Sequence, residues 1–329
     1  MKSHQQEILI LPFLDLPYMH ELAGLLDTHG GLRILPSWRM PRRGIFFGKR
    51  LDIVHFHMLD MFFVYELSFL KSLSRILWFF LIVRPVLYLR GTRLVWTCHE
   101  WESHLLSGWQ QALCRMLSFA MAFTTDRIIV HSRLLEEKIK TCANGYLARK
   151  VQWIPHGGIH RYYEHVVGRM VPVKSWLSGQ TRLAMIGTIR ANKRVLEFIE
   201  AFSKTSASSV TLLVAGSATD VEYLSVIERI ASADPRITLL DRGLDVQELA
   251  WLHRKASAIV FGPSTYPTSG AMETSIALGC RVFASRVGYA EELSRQVPES
   301  MIFFYSDRHE LSVEGPVSYT HLTLPTILL

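Results

Sequence analysis

Gly262-Pro-Ser-Thr-Tyr-Pro-Thr-Ser-Gly-Ala-Met-Glu-Thr-Ser-Ile-Ala-Leu-Gly-Cys280 runs directly into Arg281-Val-Phe-Ala-Ser-Arg-Val-Gly288. The stretch reads as a strand ending at Phe261, a loop of small and turn-forming residues, a helix opening near Gly270, and a new strand at Val282. A helix that opens on Thr268, Ser269, Gly270 and Ala271 directs unpaired backbone N–H groups at whatever lies above the sheet, and the glycine lets an anion approach. Either this is a diphosphate site, or it is an ordinary β-α-β connection whose Ser and Thr cap the helix. On the first reading Glu273, one turn in, meets sugar or ribose hydroxyls rather than phosphates, which it would repel.

Outward from that stretch, strands and helices alternate. Further strands are predicted at Leu183–Thr188, Val210–Ala215, Ile237–Leu240, Ala258–Phe261 and Met301–Phe304. An earlier series runs through Ile8–Pro12, Ile53–His57, Arg93–Cys98, Arg127–His131 and Val151–Pro155, with long helical material from Met61 to Leu89. This alternation implies an α/β chain of two parallel-sheet halves that face a cleft, with ligands at the carboxyl ends of the strands. Gly168, Pro172, Ser178 and Gly179 make residues 166–181 the candidate linker. No G-x-G-x-x-G follows either first strand and no P-loop motif occurs, which argues against dehydrogenase and P-loop readings.

Three further segments carry candidate chemistry. In Met185-Ile-Gly-Thr-Ile-Arg-Ala-Asn-Lys-Arg194, Gly187 lets backbone approach a ligand, and Arg190 and Lys193 follow in the turn. A guanidinium and an ammonium there suit a diphosphate; the alternative is a helix start with solvated basic residues. The strand Leu94–Cys98 delivers His99 and Glu100 to its carboxyl end, where His99 could hydrogen-bond a sugar hydroxyl and Glu100, with Glu102, could hold an acceptor or act as base. His156, in Pro155-His-Gly-Gly158, is either a ligand contact or a hinge hydrogen bond. His55, His57, His99 and His104 show no zinc-site spacing, so no metal site is expected.

At 329 residues, 49% hydrophobic and 20% charged, the chain has the length of two ordinary domains. Its charge is uneven: residues 1–170 carry 21 Lys and Arg against 13 Asp and Glu, whereas residues 171–329 carry 15 against 16. Arg39, Arg42, Arg43, Lys49 and Arg50 cluster in the basic half, and Arg84, Arg90 and Arg93 flank the apolar run Ile76–Val83. No recognition motif accompanies the charge, so nucleic acid is not an expected partner. Arg84 and Pro85 interrupt the apolar runs short of the ~20 residues needed to span a bilayer, so no membrane-spanning helix is expected. The greasy segment is either a buried helix or, with its arginines, a surface that rests on an anionic leaflet. Widely spaced Cys98, Cys114, Cys142 and Cys280 read as reduced thiols, and the polar Met1–Glu7 is no secretory signal; both point to the cytoplasm.

Six segments in register, Asp52–His57, Val95–His99, Ile154–Gly157, Gly187–Lys193, Leu213–Gly216 and Ser269–Gly279, resemble the glycosyltransferases of the GT-B fold, in particular family 4 and its bacterial surface-polysaccharide members. The resemblance implies an acceptor-side Rossmann-like domain over residues 1–165 and a nucleotide-sugar domain over 182–314. It implies a hexosyltransferase that uses a UDP- or GDP-sugar as donor, a saccharide or lipid-linked acceptor and no cofactor, retains anomeric configuration and needs no metal. Such an enzyme would be cytoplasmic or peripheral on the inner face of the plasma membrane. Arg190 and Lys193 would hold the diphosphate, Glu273 the ribose, the backbone of Thr268 to Ala271 the phosphates and sugar, and His99 the transferring sugar. One departure stands out: many members carry a second glutamate eight positions before the one matched by Glu273, and here that position is Thr265. That opens two other readings, a non-catalytic glycan- or nucleotide-binding protein and a nucleotide-sugar epimerase. Residues 315–329 continue no pattern and resemble a translated adapter tail, which would leave the second domain incomplete.

Overall fold

Apolar runs bounded by turn residues become two six-stranded sheets in which every pairing is parallel. The computed structural model describes residues 6–13, 16–28, 32–37, 48–103, 106–142, 145–156, 159–263 and 266–305. Arg39, Arg42, Arg43, His104, Gly157, Gly158, Thr265 and the 315–329 tail lie outside them. The chain divides into two units, residues 1–157 and 158–329.

In the first unit β1 (Gln6–Leu11), α1 (Pro17–Thr28), β2 (Leu32–Pro36), β3 (Ile53–Phe56), α2 (Leu59–Phe63), α3 (Phe69–Leu89), β4 (Arg93–Cys98), α4 (Gly108–Thr124), β5 (Arg127–Val130), α5 (Arg133–Thr141) and β6 (Val151–Trp153) follow in turn. The sheet order is β2-β1-β3-β4-β5-β6. Its core gathers Phe56, Phe63, Phe79, Trp96, Leu117 and Ile128. Two features depart from the sequence reading. β2 was not expected, because its five residues end at Pro36 and pair only with β1, as an edge strand can. Nor does Arg84-Pro85 keep the apolar stretch short of a bilayer span, as was expected. A π turn over Phe79–Val83 precedes the proline and carries the helix past it, so α3 is continuous over 21 residues and long and apolar enough to cross a membrane. Phe79, Val83 and Leu87 on its inner face nevertheless pack into the core, and α3 connects two neighbouring parallel strands.

The second unit runs α6 (His160–Glu164), α7 (Lys174–Leu177), β7 (Thr181–Ile186), α8 (Val195–Ser203), β8 (Val210–Ala215), α9 (Val221–Ala233), β9 (Ile237–Leu240), α10 (Val246–Lys255), β10 (Ala258–Phe261), α11 (Gly270–Ala277), β11 (Val282–Ser285), α12 (Gly288–Ser294) and β12 (Ile302–Tyr305). The order β9-β8-β7-β10-β11-β12 is, counted from β7, the 3-2-1-4-5-6 arrangement of nucleotide-binding sheets. β8, flanked by β7 and β9, is apolar save for Thr211 and buried at every position, as a strand covered on both faces must be. Helix starts are set locally: Asp245 and Glu248 form a capping box on α10, and Asp220 caps α9 through the Tyr223 amide. All four cysteines are free thiols, three buried and Cys142 exposed.

The segment read as a linker belongs in part to this second core. Val171, Val173 and Trp176 are buried against Ala184, Leu213 and Ile259, and the Trp176 indole N–H donates to the Leu183 carbonyl at 2.8 Å. Truncation of Trp176 to Ala is therefore expected to lower the unfolding free energy by about 3–5 kcal/mol. Met170→Ala, at a side chain 71% exposed, should change it by no more than about 0.5 kcal/mol. Urea denaturation of the two variants checks the pair.

Candidate functional site

In the second sheet the connections leave in opposite directions from β7 and β10, and the crevice at their carboxyl ends is where such sheets take ligands. Two glycines bring the backbone together there. Gly187, at φ +115, donates its N–H to the Ala215 carbonyl at 2.9 Å, and Gly216, at φ +148, lies so close that an added Cβ would sit 2.2 Å from the Gly187 oxygen. The chain then forms a short 3₁₀ turn over Ala191–Lys193 before α8, which opens at Arg194 in a left-handed conformation. Arg194 pairs with Glu197 at 3.0 Å. The positive charge that seemed to open the helix thus belongs mainly to the turn before it, and Glu197 supplies the acid that the first helical turn favours.

Arg190 and Lys193 stand in that turn. The Arg190 Nε is buried without a hydrogen-bond partner. An added Cβ on Gly187 would lie 3.1 Å from the Lys193 ammonium, so the charged end rests over the glycine although the side chain is exposed overall. Desolvation first, and the Arg190 guanidinium second, hold that ammonium below its ordinary pKa. Two neighbouring cations, one with an orphaned donor and one disfavoured in its charged form, make a place where an anion would relieve both.

The β10 loop reaches the same turn. A Cβ on Gly262 would stand 2.1 Å from the Lys193 carbonyl oxygen, and the Asn192 side-chain amide donates to the Tyr266 hydroxyl at 3.3 Å. Beyond the loop, Ser269 caps α11 by accepting from the Met272 amide at 3.3 Å, and the Glu273 amide donates to the Ser269 carbonyl. Gly270 and Ala271 remain at the open end of the helix, both exposed, with nothing within 4 Å of where a Gly270 side chain would start. The helix is braced from behind: Ser275 donates to the Ala271 carbonyl at 2.9 Å and meets buried His253 at 3.2 Å. Gly187, Arg190 and Lys193 are thus gathered with the start of the Gly262 loop, while Thr268, Ser269, Gly270 and Ala271 form the helix start that the loop leads to.

Glu273 is half-buried and accepts a hydrogen bond from the Tyr289 hydroxyl. Desolvation raises its pKa to about 7, against the lowering effect of that hydrogen bond. Tyr289, the second residue of α12, had no sequence signal.

In the first unit the carboxyl edge holds a cluster that sequence spacing does not reveal. His57, His99, His131 and His156 follow β3, β4, β5 and β6, and Tyr18 of α1 lies among them with ring centroids 4.6–5.7 Å away. His131 donates through Nδ1 to the Ile154 carbonyl at 2.9 Å, so its Nε2 accepts from the Tyr18 hydroxyl at 3.1 Å. His99 Nε2 lies 3.5 Å from His57 Nδ1, and His57 Nε2 is buried without a partner. Burial, and then neighbouring imidazoles, push the pKa values of His57 and His99 well down, and that of His55 to about 4, so these rings are neutral hydrogen-bonding groups at neutral pH. Among the described residues no group of three or more His, Cys, Asp or Glu is placed to hold a metal ion. Glu100 follows β4 and its backbone carbonyl accepts from the Cys98 thiol at 3.2 Å; Glu102 is occupied by Arg115 at 3.1 Å. The signal for the missed members was strand order: a His follows each of four consecutive strands.

The raised pKa of Glu273 gives a pH test. The folded protein holds this proton up to about pH 7, whereas an unfolded glutamic acid releases it near its ordinary value, so its contribution to stability is lost as pH rises between those two values. Glu273→Gln should therefore melt above the parent protein at pH 8, and the gap should narrow markedly at pH 5. Differential scanning calorimetry of the pair measures it, and the histidines cancel in the difference.

No protein-family model matches the chain, and no curated protein sequence does. Solved structures do match. HepE from Anabaena, in complex with UDP and glucose, superposes with a TM-score of 0.61 at 13% identity, over 98% of this chain and 91% of that one. The catalytic domain of starch synthase IV from Arabidopsis thaliana, bound to ADP and acarbose, gives 0.67 at 11% identity, over 99% and 94%. A Listeria monocytogenes protein described as a UDP-N-acetylglucosamine 2-epimerase gives 0.60 at 13%, over 98% and 88%. These likenesses, with the two parallel sheets, show the fold: two Rossmann-like α/β domains, the GT-B fold.

Proposed function

We propose that the chain is a cytoplasmic glycosyltransferase that moves a hexose from a UDP- or GDP-sugar to a saccharide or lipid-linked acceptor in polysaccharide assembly. The carrying observation is the convergence, at the switch point of a 3-2-1-4-5-6 sheet, of Arg190, Lys193 and the loop that leads to the open end of α11. Structures of similar fold were solved with UDP and with ADP, which supports a nucleotide diphosphate as the occupant.

On this reading the diphosphate accepts hydrogen bonds from the Gly270 and Ala271 amides and from the Arg190 guanidinium, and Lys193 supplies a point charge. As the bond from the sugar to the diphosphate breaks, negative charge grows on the leaving oxygen, and these fixed donors stabilise it more than the ground state. The site then works without a metal ion and without a further cofactor, and retention of anomeric configuration follows if the sugar is attacked from the face the diphosphate leaves. Glu273 accepts from the ribose hydroxyls, and the Tyr289 hydroxyl holds its side chain in place. Neutral His99 hydrogen-bonds the transferring sugar, and Glu100 is the candidate base for the acceptor hydroxyl.

Two measurements test this. UDP or GDP at roughly a hundred times its Kd should raise the melting temperature by about 5 °C or more, and Arg190→Ala should weaken binding at least about tenfold. Incubation with labelled nucleotide sugars and membranes should move label into lipid or polysaccharide. Label found instead in an altered free nucleotide sugar means epimerisation, the reaction named for the Listeria monocytogenes protein, and binding without turnover means a non-catalytic role.

A further inference from the structure

Among the described residues the outer face of α3 is left uncovered. Leu81 is 70% exposed, Tyr88 72% and Leu89 83%, and Leu70, Leu77 and Ile82 are exposed along the same helix. The face continues onto α4, where Met116 and Phe123 are exposed, and Phe123 stacks on exposed Tyr146 with ring centroids 5.6 Å apart. Isolated apolar residues on a surface need no explanation, but a contiguous set does.

Beside it lies a band of positive charge whose position follows from strand direction. Arg93 and Arg127 are the first residues of β4 and β5, and Arg149 and Lys150 immediately precede β6, so all four stand at the amino-terminal edge of the sheet. Arg84, on the last two turns of α3, completes a pocket of about 590 Å³ with Arg127, Arg149 and Lys150. The four cations face one carboxylate, Asp126, which is itself engaged by the Leu94 amide at 2.7 Å. Arg84 bonds the Thr124 carbonyl through Nε and Nη2, at 3.1 and 2.7 Å, and its Nη1 is buried with no partner. Tyr88 and Phe123 form the apolar wall, so the pocket opens where the greasy face and the charged band meet.

We infer that this face of the first domain is a docking surface for an anionic phospholipid bilayer, with the Arg84–Arg127–Lys150 pocket taking a lipid phosphate. Exposed Leu and aromatic side chains enter the boundary between headgroups and acyl chains, while the cations remain at headgroup level. A second copy of the chain fits the face poorly, because a two-fold contact would bring the same cations together. A spanning role fits α3 poorly too, because it would strip Phe79, Val83 and Leu87 from the core and separate β3 from β4. The histidine cluster occupies the opposite, carboxyl edge of the same sheet, so docking at the amino edge does not cover it. The inference stands on the first domain alone, whatever the second domain binds.

Co-sedimentation of the intact chain with phospholipid vesicles tests it. With about one third phosphatidylglycerol in phosphatidylcholine the protein should pellet with the vesicles and be released by about 0.5 M salt, whereas pure phosphatidylcholine should hold little. The double variants Arg127→Glu with Arg149→Glu, and Leu81→Glu with Leu89→Glu, should each bind at least about tenfold more weakly. Both should keep the parent melting temperature, since all four side chains face solvent. Equal binding to both vesicle types, full binding by either double variant, retention that only detergent releases, or an oligomer that the leucine variant dissolves would each overturn the inference.

Discussion

The candidate site depends on backbone approaching backbone where side chains would not fit. A side chain on Gly216 would collide with the Gly187 carbonyl, and one on Gly262 with the Lys193 carbonyl. These approaches fix the ends of β7, β8 and β10 against one another, and the turn that carries Arg190 and Lys193 has one position as a result. The charges are thereby held close together before any ligand arrives, at the cost of a disfavoured ammonium and an unpartnered guanidinium nitrogen. Such preorganisation is what a site built to stabilise a leaving diphosphate requires.

The two carboxyl edges differ in kind. The second domain offers fixed cations and open amides, a surface for an anion. The first offers neutral imidazoles around Tyr18, held neutral because burial strips the water that would stabilise their charge and neighbouring imidazoles oppose it. Neutral donors and acceptors suit an uncharged hydroxylated ligand. The amino edge of the first sheet differs again, since there Arg93, Arg127, Arg149 and Lys150 gather beside exposed Leu and Tyr. One small domain thus separates a polar neutral face from a cationic amphipathic one by strand direction alone.

Much of this was readable from residues in order. Fully buried β8 announced itself as a run of apolar residues, and the Gly262 loop showed its strand, turn and helix start directly. β2 escaped because an edge strand of five residues ending in proline carries no periodic signal. The apolar length of α3 escaped because Arg84-Pro85 reads as the end of the apolar run and the π turn that carries the helix past it has no sequence signature. Residues 166–181 read as a connector through their Gly, Pro and Ser, although Val171, Val173 and Trp176 pack into a core. Arg190, Lys193 and Glu273 could be named because each lies near a motif. His131, His156 and Tyr18 could not be joined to His99 until strand order placed them together, since they are distant in sequence.

The central claim is that the second domain holds a nucleotide diphosphate at the β7–β10 switch point. A crystal structure of the complex with UDP tests it most directly. The account predicts diphosphate oxygens at about 3 Å from the Gly270 and Ala271 amides and from the Arg190 guanidinium, with the ribose hydroxyls on Glu273. A diphosphate found elsewhere, for example in the pocket of Arg84, Arg127 and Lys150, with the α11 terminus open to water, would contradict it.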